Sequence, residues 1–186
     1  MQRPRLVILD RDGVINRDSP EFVKSPDEWH ALPGSLDAIA RLNRCGVRVA
    51  VATNQSGVGR GKFSMATLRR MHGKFLAELA AAGGRVETIA VCPHHPDDEC
   101  RCRKPRPGLL LDVLDTTGVA AGAALAIGDS ARDLEAAHAA GICGWLVRTG
   151  NGRATEAQGT VPAAAVYDDL AAAVDALLND EPVDDG

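Results

Sequence analysis

Two aspartates stand two residues apart, directly after an apolar run near the start of the chain. Asp10 and Asp12 follow Leu6–Leu9 and precede Gly13. Residues i and i+2 of an extended chain point the same way, so both carboxylates can face one site. Close carboxylates can bind a cation, or one can attack as a nucleophile while the other transfers protons. The alternative is a solvated turn at the end of a strand.

Two further segments could hold an anionic group. Residues 53–61 (TNQSGVGRG) offer a hydroxyl, two amides, backbone N–H groups and an arginine, which together can hold phosphate oxygens. In residues 103–108 (RKPRPG), Lys104 could balance clustered carboxylates and Arg103 could bind phosphate with two hydrogen bonds. Taken alone, the first segment is an ordinary glycine-rich turn and the second a solvated basic turn.

A fourth segment, GDSARD at 128–133, again follows an apolar run. Asp129 stands where a metal-binding carboxylate could join Asp10, and Asp133 lies one helical turn further along. The alternatives are a helix cap for Asp129 or Ser130 and a surface acid for Asp133. The sequence pattern favours chemistry only because all four segments lie at the ends of successive predicted elements.

Apolar runs alternate with amphipathic stretches along the chain, which predicts an α/β fold with a mostly parallel central sheet. The pattern predicts strands at Leu6–Leu9, Val47–Ala52, Val86–Val91, Ala123–Ile127, Gly144–Val147 and Ala164–Tyr167, and helices at Ser35–Arg44, Ser64–Ala82, Gly108–Thr116, Ser130–Ala140 and Leu170–Leu178. We expect one domain over residues 1–178 and an acidic C-terminal tail over 179–186. Parallel sheets place their sites beyond the carboxyl ends of the strands, where the four segments lie.

Composition excludes several classes of protein. The net charge of −4 does not favour a nucleic-acid-binding surface. The longest uncharged apolar stretch, 116–128, is shorter than the roughly 20 residues that a membrane-spanning helix needs, and no signal-peptide pattern opens the chain. We therefore expect a cytoplasmic protein without a membrane partner. In a reducing compartment its five cysteines favour metal binding or packing over disulfides, and we expect Cys45 and Cys143 in the core.

Four metal-ligating side chains follow the third predicted strand in the pattern C-x-H-x5-C-x-C. Three thiolates and one imidazole fit a closed, tetrahedral Zn²⁺ site with a structural role. The predicted ligands are Cys92, His94, Cys100 and Cys102. The adjacent His95 is expected to point away, and the alternative is a set of unpaired cysteines or a redox pair. Such a site would hold the loop that leads into Arg103 and Lys104.

The order of these segments resembles the haloacid dehalogenase (HAD) superfamily of phosphotransferases, from Leu6 to about Gly150. The resemblance implies a three-layer, Rossmann-like fold and, with the short spacings between the segments, no large cap domain. It implies that Asp10 is the nucleophile and Asp12 the general acid and base. By the same resemblance, Thr53 and Lys104 stabilise the phosphoryl group. The predicted Mg²⁺ ligands are Asp10, Asp12 and Asp129, with a backbone carbonyl.

The predicted chemistry has a physical basis that does not depend on the resemblance. A phosphate ester repels an anionic nucleophile, and Mg²⁺ offsets that repulsion. In-line attack by Asp10 gives an aspartyl phosphate. Asp12 then protonates the leaving alkoxide and later deprotonates the attacking water.

The CPH and CRCRKP segments resemble two phosphatase families within the superfamily. One removes the C7 phosphate of D-glycero-D-manno-heptose 1,7-bisphosphate in lipopolysaccharide-precursor synthesis, and the other acts on histidinol phosphate. The segments TNQSGVGRG and CRKPRPG favour the heptose family, whereas the short gap between His94 and Cys100 favours the histidinol family. We expect the heptose substrate and leave its anomer open.

A small phosphorylated sugar is therefore the expected partner, and we expect a monomer. The expected substrate-binding residues are Asp18, Ser19, Pro20, Glu21, Asn54, Gln55, Ser56, Arg60 and Arg103. Arg60 and Arg103 are candidates for binding the phosphate that is not cleaved or the sugar hydroxyls, and the alternative for both is a solvated loop cation. Two other classes stay open: a receiver-like signalling domain with a phospho-accepting aspartate, and a zinc-stapled interaction module without catalysis.

Overall fold

A computed structural model describes residues 3–179. Its strands are β1 (Leu6–Leu9), β2 (Arg48–Asn54), β3 (Ile89–Cys92), β4 (Ala124–Gly128), β5 (Cys143–Val147) and β6 (Ala165–Tyr167). Its helices are α1 (Ser35–Arg44), α2 (Ser56–Gly59), α3 (Met65–Ala81), α4 (Gly108–Thr117), α5 (Ala131–Ala139), α6 (Gly152–Gln158) and α7 (Leu170–Asn179). Short 3₁₀ helices occur at Pro96–Asp98 and Ala121–Ala123.

The six strands form one parallel sheet in the order β3-β2-β1-β4-β5-β6. β1 is central, and all four of its side chains are buried. Leu9 pairs with Val51 of β2 and with Ile127 of β4. The chain therefore leaves β1 between the carboxyl ends of its two neighbours, which places Asp10 at the middle of that edge.

Apolar side chains cover both faces of the sheet, as expected for parallel strands with helices on either side. One core cluster includes Val7 and Leu9 of β1 and side chains of α1, α3 and α7. The other includes Leu6 and Ile8 with side chains of α4 and α5. The predicted α/β, three-layer architecture is confirmed. No second sheet occurs in residues 3–179, and no helix there is long and apolar enough to cross a membrane.

Several predicted boundaries need correction. β2 continues to Asn54, two residues beyond its predicted end, so Thr53 and Asn54 lie inside the strand rather than after it. The short helices α2 and α6 were not predicted at all. Cys45 is exposed, so it is not the core residue that its apolar neighbours suggest, whereas Cys143 is half-buried and packs against one core cluster. The predicted acidic tail falls, from residue 180 onward, outside the described residues.

Candidate active site

The carboxyl ends of β1, β2 and β4 border a cavity of about 190 Å³. Ten of the residues that the sequence assigns to a site line it: Asp10, Asp12, Asp18, Ser19, Asn54, Gln55, Ser56, Arg103, Lys104 and Asp129. Sheet topology brings them together, because parallel strands deliver their C-terminal residues to one edge.

Lys104 carries the positive charge at the centre of this cavity. Its Nζ donates to Asp10 Oδ1 at 2.9 Å and to the carbonyl of Ala52 at 2.8 Å, and it lies 2.6 Å from Asp133 Oδ1. Burial lowers the pKa of Lys104, but the carboxylates of Asp10 and Asp133 outweigh burial and raise it above its usual range. The ammonium group therefore stays charged at every physiological pH.

The Lys104 backbone is fixed from the neighbouring strand. The side-chain amide of Asn54 donates to the Lys104 carbonyl at 3.0 Å and accepts from the Lys104 N–H at 3.1 Å. This pair of hydrogen bonds attaches the loop before α4 to the end of β2. Asn54 is thus a candidate for positioning the lysine as well as for contacting a substrate.

Three carboxylates form a group that could hold a cation. Oxygens of Asp10, Asp129 and Asp133 lie within 4.8 Å of one another. Burial raises the pKa of Asp10 to about 7, although Lys104 opposes that shift, and burial raises the pKa of Asp129 to about 6. Crowded, buried carboxylates of this kind fit a hard divalent cation such as Mg²⁺, whose charge would relieve their repulsion.

Asp129 is held in this group by the loop between β5 and α6. Its Oδ2 accepts from the backbone N–H of Asn151 at 2.8 Å and from the Asn151 side chain at 3.1 Å. Thr155 donates to the Asp129 carbonyl at 3.0 Å. The sequence pattern did not single out Asn151, which follows β5, the strand paired with β4.

Asp133, which the sequence also allows as a surface acid, is buried beside Lys104. Its Oδ2 accepts from the backbone N–H and the hydroxyl of Ser130, closing a capping box at the start of α5. Burial raises the pKa of Asp133, but the Lys104 charge and the hydrogen bond from Ser130 together outweigh burial. The pKa of Asp133 therefore lies below its usual value. The residue is therefore a charged partner of the lysine.

The side chain of Asp12 is not among these metal-competent carboxylates, so its predicted contact with Mg²⁺ stays a prediction. β1 ends at Leu9, and the following turn, in which Ile15 and Asn16 donate to the Arg11 carbonyl, redirects Asp12 away from Asp10's partners. Asn16 donates to Asp12 Oδ1 at 2.8 Å, and Arg11 donates to both oxygens. The carboxylate still borders the cavity.

Gln55 joins Asp12 to Thr53. Its Nε2 donates to Asp12 Oδ2 at 2.7 Å and to the Thr53 hydroxyl at 2.9 Å. Thr53 is 1% exposed and does not line the cavity, whereas Asn54, the next residue of β2, does. The predicted contact of Thr53 with a phosphoryl group stays a prediction.

The remaining four residues expected to bind the substrate differ in whether they reach the cavity. Arg103 lines the cavity, and its buried Nη1 has no hydrogen-bond partner among residues 3–179. Pro20, Glu21 and Arg60 are exposed and do not line the cavity. Six further residues line the cavity. Ser130, Arg132 and Asp133 lie in the GDSARD segment but were not assigned to the site, whereas Phe22, Val23 and Asn151 lie outside the segments that the sequence pattern marks.

The four predicted zinc ligands converge beside this cavity. Their ligand atoms lie within 4.8 Å of one another. Cys100 Sγ lies 3.5 Å from the Sγ of Cys92 and of Cys102, and His94 Nδ1 lies 3.6 Å and 3.2 Å from Cys92 and Cys102. A tetrahedral site with Zn–S bonds of about 2.3 Å separates its sulfur atoms by about 3.8 Å. The observed spacing fits such a site, and His95 instead accepts from the Asp97 N–H.

The cluster is packed closely against α2. A Cβ placed on Gly59 would lie 2.5 Å from the His95 nitrogen and 2.9 Å from the Pro93 oxygen. Only glycine permits this approach, and the Gly59 N–H donates to the Pro93 carbonyl at 2.9 Å. The loop 93–103 is thereby fixed between α2 and the Lys104 backbone.

Comparison with known proteins agrees with this geometry. A HAD-hydrolase-like family model matches residues 101–173. The D-glycero-β-D-manno-heptose-1,7-bisphosphate 7-phosphatase of Bordetella bronchiseptica is 55% identical over 95% of this chain and 99% of its own. The enzyme of that name from Pseudomonas putida is 47% identical over 94% of this chain and 99% of its own.

A solved structure extends the likeness to three dimensions. The crystal structure of D,D-heptose 1,7-bisphosphate phosphatase from B. bronchiseptica, complexed with magnesium and phosphate, matches with a TM-score of 0.93 and 54% identity. The match covers 95% of this chain and 99% of that one. The present chain therefore belongs to the HAD-like hydrolases and, within them, to the family of the heptose-1,7-bisphosphate 7-phosphatases.

Proposed function

We propose that this protein is a Mg²⁺-dependent phosphatase that removes the C7 phosphate of D-glycero-β-D-manno-heptose 1,7-bisphosphate, in the synthesis of lipopolysaccharide precursors. Two relatives with that name are 55% and 47% identical to this chain over nearly its full length, which supports the proposed substrate. The names of both relatives specify the β anomer. The observation that carries the reaction type is the placement of Asp10 between Lys104 and the Asp129 carboxylate at the floor of one cavity.

Asp10 is the proposed nucleophile. Lys104 holds its Oδ1 at 2.9 Å, which fixes the carboxylate while the other oxygen attacks phosphorus in line with the leaving oxygen. Asp10 and Asp129 would hold the magnesium ion, which supplies positive charge against the repulsion between two anions. The O–P bond to Asp10 forms as the P–O bond to the sugar breaks. Lys104 also offsets the repulsion between the carboxylate and the phosphate, and it stays protonated throughout.

Asp12 is the proposed proton carrier. Because its side chain lies outside the carboxylate group, we propose that any contact of Asp12 with magnesium is made by its backbone carbonyl. The carboxyl group gives its proton to the departing sugar oxygen, and the resulting carboxylate then takes a proton from water. That water cleaves the aspartyl phosphate and releases inorganic phosphate. Gln55 and Asn16, each within 2.8 Å of an Asp12 oxygen, hold the group in place through both steps.

The second phosphate and the sugar hydroxyls need partners further out in the cavity. Arg103 is the proposed anchor, because a guanidinium with a buried, unpartnered nitrogen at the cavity wall lacks an acceptor. The proposed further contacts are Asp18, Ser19, Asn54, Gln55 and Ser56, which line the same cavity. Thr53, Pro20, Glu21 and Arg60 stay predictions with no support from the cavity lining.

The cysteine cluster is proposed as a structural Zn²⁺ site. All four ligand positions would be filled by Cys92, His94, Cys100 and Cys102, which leaves none for a substrate. The site lies immediately before Arg103 and Lys104, so its role is to place these two cations. The single-domain organisation, monomeric state and cytoplasmic location expected from the sequence stay predictions.

A specificity measurement tests the proposed substrate. We would compare kcat/KM for both anomers of the heptose bisphosphate and for histidinol phosphate at saturating Mg²⁺. We expect the β anomer to exceed histidinol phosphate by about 10²-fold or more, near 3 kcal/mol of transition-state discrimination. A preference for histidinol phosphate would overturn the substrate, and it would show that the short gap between His94 and Cys100 was the better guide.

A variant and a metal test address the mechanism. Asp10→Asn removes the nucleophile and is expected to abolish turnover, whereas the exposed Asp37→Asn retains it. Magnesium is withheld rather than chelated, because a chelator would also remove zinc. Normal turnover by Asp10→Asn would refute the aspartyl-phosphate route. Turnover that ignores added magnesium would refute the metal requirement. Phosphotransfer without release of phosphate would favour the receiver-like alternative.

A further inference from the structure

A buried arginine next to the nucleophile has no part in the reaction described so far. Arg11 is 1% exposed, so its charge must be balanced inside the protein. One edge of its guanidinium faces Asp12: Nη2 donates to Oδ1 at 2.8 Å and to Oδ2 at 3.0 Å, and Nε donates to Oδ1 at 3.2 Å. A guanidinium bound this way fixes both the position and the plane of a carboxylate.

The opposite edge of the same guanidinium meets a histidine from a distant helix. Arg11 Nη1 lies 3.3 Å from Nε2 of the half-buried His72, in α3. Arginine has only donors, so the histidine nitrogen must accept, which places the ring proton on Nδ1. Burial, together with the Arg11 charge, lowers the pKa of His72 to about 4, so the ring is neutral at physiological pH.

We propose that His72 and Arg11 form a positioning pair that holds the Asp12 carboxylate in the orientation required for proton transfer to the leaving oxygen. His72 restrains the guanidinium, and the guanidinium restrains the carboxylate. Neither residue lines the cavity, so we place neither of them in contact with the substrate. The inference rests on the proposed function only in assigning proton transfer to Asp12.

Leaving-group chemistry separates this role from simple stability. An alkoxide needs a proton as it departs, whereas p-nitrophenolate leaves without one. Because kcat/KM covers steps only up to the first irreversible one, it reports leaving-group departure and not the later attack of water. A mispositioned Asp12 therefore lowers kcat/KM for an alkyl phosphate and spares kcat/KM for p-nitrophenyl phosphate.

The test compares His72→Leu, which cannot accept a hydrogen bond, with His72→Gln, which can. We expect His72→Leu to lose about tenfold in kcat/KM on a sugar phosphate and less than about twofold on p-nitrophenyl phosphate. His72→Gln should recover to within about threefold of wild type on both. The exposed His138→Leu in α5 is the matched control and should leave both values unchanged.

Arg11→Met gives a second reading, with a larger effect on the alkyl substrate. Its loss should not exceed that of Asp12→Asn, which general acid catalysis places at about 10²–10⁴-fold. Equal losses on the two substrates, or no loss in His72→Leu, would overturn the positioning role. Thermal melting of each variant shows whether it folds. If Arg11→Met does not fold, the comparison of His72→Leu with His72→Gln tests the positioning role.

Failure of the proposed substrate would look different from failure of this inference. If the wild-type protein prefers a phosphate ester other than the heptose bisphosphate, the comparison is run on that alkyl ester and keeps its meaning. If wild-type protein prefers the heptose bisphosphate but the His72 variants lower kcat/KM equally for the alkyl phosphate and p-nitrophenyl phosphate, only the positioning inference fails.

Discussion

Replacing Lys104 by methionine removes the central cation of the site while keeping most of the side-chain volume. The ammonium group lies 2.9 Å from Asp10 Oδ1 and 2.6 Å from Asp133 Oδ1, and the residue is 4% exposed. Without it, Asp10 and Asp133 lose their shared positive partner and stay close to the third carboxylate, Asp129. We expect this change to abolish turnover and to destabilise the magnesium-free protein.

The size of the loss follows from the geometry. At an effective dielectric constant of about 20, each of the two contacts gives about 6 kcal/mol of Coulomb attraction. Taking the ammonium group out of water costs several kcal/mol, and removing one partner of a buried ion pair typically costs about 3–5 kcal/mol. We therefore expect the free energy of unfolding to fall by about 3–5 kcal/mol near pH 8.

The pH dependence makes the test sharper. Burial already raises the pKa of Asp10 to about 7, and loss of Lys104 raises it further. Below that pH the carboxyl group is neutral and needs no cation, so the loss should shrink by about half or more near pH 5. Added magnesium should also recover part of it.

Urea unfolding of protein freed of magnesium by dialysis measures this difference at both pH values. Lys62→Met, at an exposed position, is the matched control and should change the free energy of unfolding by less than about 0.5 kcal/mol. A loss below about 1 kcal/mol, or one of equal size at both pH values, would refute the electrostatic reasoning.

Four further outcomes concern the metals and the residues that would hold them. Cys102→Ser should reduce bound zinc, measured by elemental analysis, and lower kcat by about 10–100-fold through displacement of Lys104; unchanged zinc content with full activity would exclude the site. Folding raises the pKa of Asp10 to about 7 and of Asp129 to about 6, so the magnesium-free folded state binds more protons than the unfolded chain. Its free energy of unfolding should therefore fall as pH rises from about 4 to about 7. The same protons compete with magnesium, so its apparent dissociation constant, measured by calorimetry, should fall at least about 30-fold between about pH 5.5 and about pH 8. Asn151→Leu should weaken magnesium binding about tenfold, and unchanged affinity would exclude a supporting role.

Local sequence patterns predict most of the fold, and their failures have identifiable causes. α1 occurs at the residues that its apolar spacing predicts, and Ser64 caps α3 by accepting from the Thr67 N–H. α6 was missed because Gly152 is its only buried residue, which leaves no apolar stripe to detect. The end of β2 was placed too early because polar side chains such as Thr53 resemble a loop.

The candidate site divides along the same line. The strand-end positions of Asp10, Lys104 and Asp129 can be predicted, since a parallel sheet fixes where its strand ends meet. The partners of Asp12 cannot, because the i, i+2 rule holds only while the chain is extended, and β1 ends at Leu9. His72 is 61 residues from Arg11, and only the packing of α3 against the sheet brings it close.

The order of the strands places one part of the site on a central strand and another part beside an edge strand. We expect these two parts to unfold locally at different free energies. β1, paired on both sides and buried, leads to Asp10, and its amides should exchange with solvent only on global unfolding. β3 is a half-exposed edge strand that ends at Cys92, and the other three cluster residues and Lys104 follow it. Loss of zinc would therefore free the edge while the centre stays folded. Such a protein would lose most of its activity without being denatured, and rebinding of the metal would restore activity without refolding of the sheet.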